Sequence, residues 1–203
     1  MSTARRRSVS AFLAIATALG AVAALAQDLH PSRRPSPMGM ARTHLGDAYL
    51  RVVYSRPYLR GRDNIFGTKE SEALVPFGER WRTGANEATE ITVTRDVTVG
   101  GQKLPAGTYS LFTTPGAESW KIHFNSLLGL DGVGYFDREA GQFTAADLEP
   151  NDVLVAEVPA STLGEDAEPV DQLTISFEKT DAGADMVLRW ARTEVRVPFA
   201  PAE

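Results

Sequence analysis

From residue 48 to residue 197 the apolar side chains of this chain recur at every second position, in short runs broken by Gly, Pro, Asn and Asp, and no stretch sustains a helical period. Ala48, Leu50, Val52 and Tyr54 alternate with Tyr49, Arg51, Val53 and Ser55. Thr89, Ile91 and Val93 alternate with Glu90, Thr92 and Thr94. Trp120, Ile122 and Phe124 alternate with Lys121, His123 and Asn125. The same rhythm returns at Leu173, Ile175 and Phe177, and at Met186, Leu188 and Trp190. A period of two is the signature of β-strands, because successive side chains leave a strand on opposite faces. The punctuation fits. Gly100-Gly101 reads as a two-residue hairpin loop, Leu104-Pro105-Ala106-Gly107 as a type I turn, and Asp181-Ala182-Gly183 as a turn.

Further strands are expected at residues 108–114, at residues 152–158 with Pro159 ending the run, and at Val195 and Val197 before Pro198. Residues 38–45 read as a short edge strand, and residues 133–136 as a short strand inside a Gly-rich loop over 129–141. Residues 57–88 form a long excursion with one helical turn expected near residues 69–73. Such patterning predicts an all-β fold: an antiparallel β-sandwich, jelly-roll-like, of about eight or nine strands with one long loop excursion. The excursion and the 129–150 loop break the even spacing of a simple up-and-down barrel.

The first residues follow other rules. Arg5, Arg6 and Arg7 precede an almost unbroken run of small and apolar residues over 9–25, and Ala24-Leu25-Ala26 offers a small-x-small cleavage site before Gln27. This is the pattern of a secretory signal peptide. Three segments are therefore expected: a signal peptide over 1–26, a flexible Pro-rich linker over 27–37, and a single β-sandwich domain over 38–199. The expected location is periplasmic or extracellular, with no membrane insertion after cleavage.

The formal net charge is −5, from 26 Asp+Glu against 21 Lys+Arg. Three of those arginines lie in the leader, so the mature chain is more acidic still. That balance, with no basic run, argues against nucleic acid as a partner. The chain has no cysteine, so neither disulfides nor thiolate chemistry contribute. The three histidines, His30, His44 and His123, are scattered without ligand spacing, and neither a metal nor a cofactor is expected. His123 alternates with core residues and is expected to face solvent. No Gly-x-Ser-x-Gly elbow is present.

The polar residues worth weighing surround Val75 to Thr89. Arg56, Arg62, Trp81, Arg82, Asn86 and Glu87 are the candidate binding residues, with Arg80 beside them. In one reading they line a cleft for an anion, since arginine forks match carboxylate or phosphate. In the other, Arg82 and Glu87 pair to lock the loop onto the sheet, Trp81 is core, and Gly84 supplies a turn conformation closed to other residues.

Several runs occur in a fixed order: Ser55-Arg56-Pro57, Gly61-Arg62, Ile65-Phe66-Gly67, Val75-Pro76-Phe77-Gly78, Trp81-Arg82-Thr83-Gly84-Ala85-Asn86-Glu87-Ala88-Thr89 and Pro105-Ala106-Gly107-Thr108-Tyr109-Ser110-Leu111. Together, over residues 36–198, they resemble the bacterial domain-of-unknown-function family 2911. The resemblance implies a secreted or periplasmic β-domain and no particular activity. Members of that family often carry a Gln-Trp-Gly-type run after the strand that matches residues 120–125. This chain has Gly129-Leu130-Asp131-Gly132-Val133-Gly134-Tyr135 there. A site that used this loop would differ accordingly.

The functional expectation is an exported binding or envelope-interaction module, its partner a small molecule, a glycan or an envelope protein. The alternative is a secreted enzyme acting on an anionic or carbohydrate substrate through Glu87 and Arg82.

Overall fold

A computed structural model describes residue 30 and residues 33–202. The expected leader and residues 27–29, 31 and 32 of the expected linker lie outside the described residues. Ser36–Glu203 forms one compact unit. Ser36 and Pro37, placed in the linker by sequence, already belong to it: the Pro37 carbonyl accepts from the Arg56 N–H at 2.9 Å. No helix among the described residues is long and apolar enough to cross a membrane.

The alternating runs become strands. They are β1 (Met38–Leu45), β2 (Ala48–Ser55), β3 (Phe66–Gly67), β4 (Val75–Pro76), β5 (Thr89–Val93), β6 (Val97–Val99), β7 (Gln102–Leu104) and β8 (Gly107–Thr114). They continue as β9 (Ser119–Asn125), β10 (Gly134–Asp137), β11 (Gln142–Ala145), β12 (Asp152–Thr162), β13 (Val170–Thr180), β14 (Gly183–Ala191) and β15 (Thr193–Pro201). Nine of them follow one antiparallel path, β1-β2-β5-β8-β9-β12-β15-β14-β13, with β6 and β7 added beside β15.

The path folds into a sandwich because β12 serves both layers. Its residues 152–159 pair with β9, and its residues 160–162 pair with β15. Pro159 therefore does not end the strand, contrary to the sequence expectation. It stands opposite Ser119 at the last position paired to β9, so its missing N–H falls where one ladder gives way to the next. Pro198 is likewise internal. It lies opposite Asp185 in β15, and its carbonyl accepts from Gly100 N–H at 3.0 Å. The ends of the path meet across the sandwich. Tyr54 Oη accepts from Ile175 N–H at 2.8 Å, and Leu59 N–H donates to Asp171 at 2.7 Å.

The main core lies between the layers. Leu50, Val52, Ile91, Leu111, Ile122 and Phe124 face Ile175, Met186, Leu188, Val197 and Phe199, all at most 3% exposed. Each such aliphatic or aromatic side chain contributes about 1.5–3 kcal/mol by leaving water. Trp81 stacks on Trp190 at 5.9 Å and 15°, and Phe66 meets Trp120 edge-on at 4.8 Å. Pairs of this kind add about 0.5–1.5 kcal/mol each.

A second, smaller core lies on the outer face of the first layer. There Phe112 and Ala88 are covered by Leu130 and Leu148 from the segment between β9 and β12. Two features of that segment and the excursion differ from expectation. The short strand in the Gly-rich region is β10, and it finds a partner in β11. Residues 69–73 hold no helix, only a single turn from Glu72 N–H to the Lys69 carbonyl, with Glu72 itself at φ 56.

Candidate functional site

The loop after β4 is fastened to the sheet by its own groups. Trp81 lies opposite Thr113 of β8 in an isolated bridge, with N–H···O distances of 2.7 and 2.9 Å. Its indole N–H donates to the Gly84 carbonyl at 3.0 Å, and its ring is in the main core. Thr89 Oγ1 donates to the Thr83 carbonyl at 2.9 Å. Asn86 Nδ2 donates to the Ser36 carbonyl and to Ser55 Oγ, both at 3.1 Å. Gly84 is required for a different reason from the one expected. The left-handed residues here are Thr83 and Asn86, at φ 55 and 58. At Gly84 a Cβ would stand 2.8 Å from the Ser55 carbonyl oxygen, so it is the close approach of two backbones that demands glycine.

The arginines expected to hold an anion are occupied or enclosed. Arg56 donates to the Leu173 carbonyl and to Thr174 Oγ1, both at 3.1 Å, tying β2 to β13. Arg62 donates to the Tyr58 carbonyl at 2.7 Å. Arg82 makes no ion pair with Glu87. Its Nε is buried without a hydrogen-bond partner, and burial pushes the guanidinium pKa down. Of the six candidates, Glu87 lines the cleft described below.

Sequence spacing missed a second cluster. Arg80, 72 positions from Asp152, grips its carboxylate with two N–H groups at 3.1 and 2.9 Å. His123 Nδ1 lies 2.9 Å from Asp152 Oδ2, and His123 Nε2 lies 3.0 Å from Thr114 Oγ1. Asn125 Nδ2 donates to Asp152 Oδ1 at 2.8 Å and to the Leu148 carbonyl at 2.7 Å. His123 is 5% exposed, so the expectation that it faces solvent was wrong. It does point to the outer face of β9, as alternation requires. That face is covered around it by Arg80 and Asp152, whereas its neighbour on the same face, Lys121, is exposed.

Hydroxyl, imidazole and carboxylate stand in the order used for acyl transfer. The electrostatics differ. In a working triad the carboxylate stabilises the imidazolium that forms. Here the Asp152 charge is matched by Arg80. Burial first, and the Arg80 charge second, hold the His123 imidazole below its ordinary pKa, outweighing Asp152. The cluster is a polar tie joining the Arg80 segment, β8, β9 and β12.

The cleft lies beside the start of β5, with a volume of about 490 Å³. Among the described residues its charged lining is Glu87, Glu90, Asp131 and Arg138, and Glu87 has a partner of its own. Met38, Val53, Ala88 and Leu130 supply apolar wall. Glu90 Oε1 accepts from Gly129 N–H at 3.3 Å, and Asp131 Oδ2 from Phe136 N–H at 3.1 Å, so two of the carboxylates also hold the loop that forms one side. No group of three or more His, Cys, Asp or Glu among the described residues is placed to hold a metal ion.

Fold and site together define a nearly all-β sandwich, built on a large antiparallel sheet, with an acidic cleft on one covered outer face. The model of the family described as "Protein of unknown function (DUF2911)" matches residues 36–199, and the chain belongs to that family. No curated protein and no solved structure matches it.

Proposed function

We propose that this is an exported binding domain whose cleft takes a small organic cation with an apolar body. The reading rests on the cleft. About 490 Å³ is in the range of small-molecule sites, which combine apolar walls with a few convergent polar groups. Glu90 and Asp131, set against Arg138, leave the described lining acidic, which favours an amine over an anion. A free amine, or an amino group presented by a glycan or an envelope protein, meets the same lining. Export is supported by the basic and apolar pattern of residues 1–26 and predicts mature protein beginning at Gln27.

The test is a thermal-shift comparison of phenethylamine with phenylacetate. The amine raises the melting temperature through binding linkage. Glu90→Gln, which keeps an acceptor for Gly129 N–H, weakens the effect. Equal shifts by both probes, or none, would refute the cationic reading.

A further inference from the structure

The cleft beside β5 holds a cation that an amine alone does not use. Arg138 lines it from the turn between β10 and β11. The guanidinium has no hydrogen bond or ion pair among the described residues. Its neighbour Asp137 is engaged elsewhere: Oδ1 accepts from Glu139 N–H and Ala140 N–H at 2.9 and 3.0 Å and shapes the turn.

The carboxylates of the lining are each engaged through one oxygen. Glu90 Oε1 accepts from Gly129 N–H and Asp131 Oδ2 from Phe136 N–H, and in each the other oxygen has no partner among the described residues. The floor of the cleft adds a donor. Ser55 lines it and is 5% exposed. Its Oγ accepts from Asn86 Nδ2 at 3.1 Å, and its own O–H has no acceptor among the described residues. Buried polar groups are nearly always paired, so an idle O–H calls for a cause. Ser55 shares a face of β2 with Val53, which stands opposite Glu90 in β5. Two residues along a strand is about 7 Å, so one small ligand reaches both Glu90 and Ser55.

Opposite charges that line one cleft without meeting each other suit a ligand that carries both. A simple amine satisfies Glu90 and Asp131 but faces Arg138 as a like charge. A carboxylate beside the amine turns that repulsion into a charge-assisted bond, bidentate where the guanidinium fork allows. Ser55 O–H is a second donor for it. From this arrangement we infer that the ligand is a free α-amino acid with an apolar side chain. Its ammonium lies at Glu90 and Asp131, its carboxylate at Arg138 and Ser55, and its side chain against Met38 and Val53. A protein N-terminus or an amino sugar has no carboxylate beside its amino group and forgoes half of the site. This deepens the cleft reading and rests on it.

Three probes separate the two. Phenylalanine carries ammonium, ring and carboxylate. Phenylalanine amide and phenethylamine lack the carboxylate. Calorimetry at about pH 6, below the α-amino pKa, is expected to find phenylalanine binding about tenfold or more tighter than either, as for hydrogen bonds between charged groups. Arg138→Gln erases that advantage and leaves phenethylamine no weaker. Arg138 is exposed and makes no contact that folding needs, so the variant is expected to unfold at the wild-type urea midpoint. Glu90→Gln weakens all three probes. Phenylalanine bound no tighter than the two carboxylate-free amines, or an advantage that survives Arg138→Gln, overturns the amino-acid assignment while the amine reading stands. The absence of binding by all three overturns both.

Discussion

Removing Arg80 should reverse the way pH acts through His123. Asp152 is buried, its side chain 8% exposed, and Arg80 supplies its full counter-charge at 2.9 Å. Arg80→Ala leaves the carboxylate with Asn125, His123 and the walls of the site. Breaking a buried pair by deleting one partner costs about 3–5 kcal/mol, and that is the loss expected at pH 8, where the imidazole is neutral.

The imidazole can replace the guanidinium. In the wild type, burial and the Arg80 charge hold the His123 pKa below its unfolded value. As pH falls below about 6.5, the unfolded chain takes up a proton that the folded chain refuses, and His123 contributes a loss of stability. In Arg80→Ala the lowering charge is gone and Asp152 remains 2.9 Å from Nδ1. The folded pKa then rises above the unfolded one. The contribution becomes a stabilisation, present below the unfolded pKa and lost as pH rises through the folded one. Between pH 8 and pH 5 His123 is the histidine that Arg80 touches, at 3.0 Å from Nδ1, so the difference between the two proteins reports on it. The penalty therefore shrinks as pH falls from 8 to 5. Urea unfolding of both proteins across that range measures it, with equal m-values as the check that the states compared are the same. A penalty independent of pH, or a His123 ring titrating at the same pH in both proteins by NMR, would refute the account.

Gly84→Ala places a Cβ 2.8 Å from the Ser55 carbonyl oxygen and should cost about 1–3 kcal/mol in urea unfolding, as overpacking does; an unchanged midpoint would show that β2 yields there. Arg82→Met removes a desolvated guanidinium that lacks an ion-pair partner in the protein, so stability should hold or rise, in contrast to the loss expected had it paired with Glu87. On β13–β15, Arg196 bonds Glu194 and Glu178 at 2.7 Å each, and Arg189 bonds both carboxylates too. Glu178 is held below its usual pKa by the hydrogen bonds from Arg196 and Arg189. In Glu194 partial burial opposes the same bonds and is outweighed. This stabilisation is present above the unfolded carboxylate pKa and lost as pH falls through the folded values. Arg196→Ala should therefore destabilise the domain at pH 7, by no more than about 1 kcal/mol for so exposed a network, and its effect should fade toward pH 3.

The long strands were legible because each has one face in the main core, and a period of two in the sequence records that burial directly. Ala48, Leu50, Val52 and Tyr54 are all buried on the side their alternation assigns. Alternation cannot tell whether the other face meets water or a second cover. Lys121, His123 and Asn125 share one face of β9, and two of the three are buried. The cover comes from residues 126–151 and from the Arg80 segment, which reach that face from elsewhere in the chain. Arg80 and Asp152 carry no sign of each other over 72 positions, because a salt bridge between loop and strand has no period. Proline misled for a related reason. Pro159 forbids one donor at one position, and whether this ends a strand depends on which neighbour the position faces. The Arg82–Glu87 pairing failed on direction. Left-handed turns at Thr83 and Asn86 separate the two side chains, sending one beneath Gly132 and the other to the mouth of the cleft. The outer face of β5, β8 and β9 is thus where sequence reasoning fails repeatedly. It is also where the second core, the unpartnered donors and the acidic cleft converge. Nothing about a sandwich fold requires a half-buried arginine with an enclosed Nε, or a fully enclosed serine, on that face.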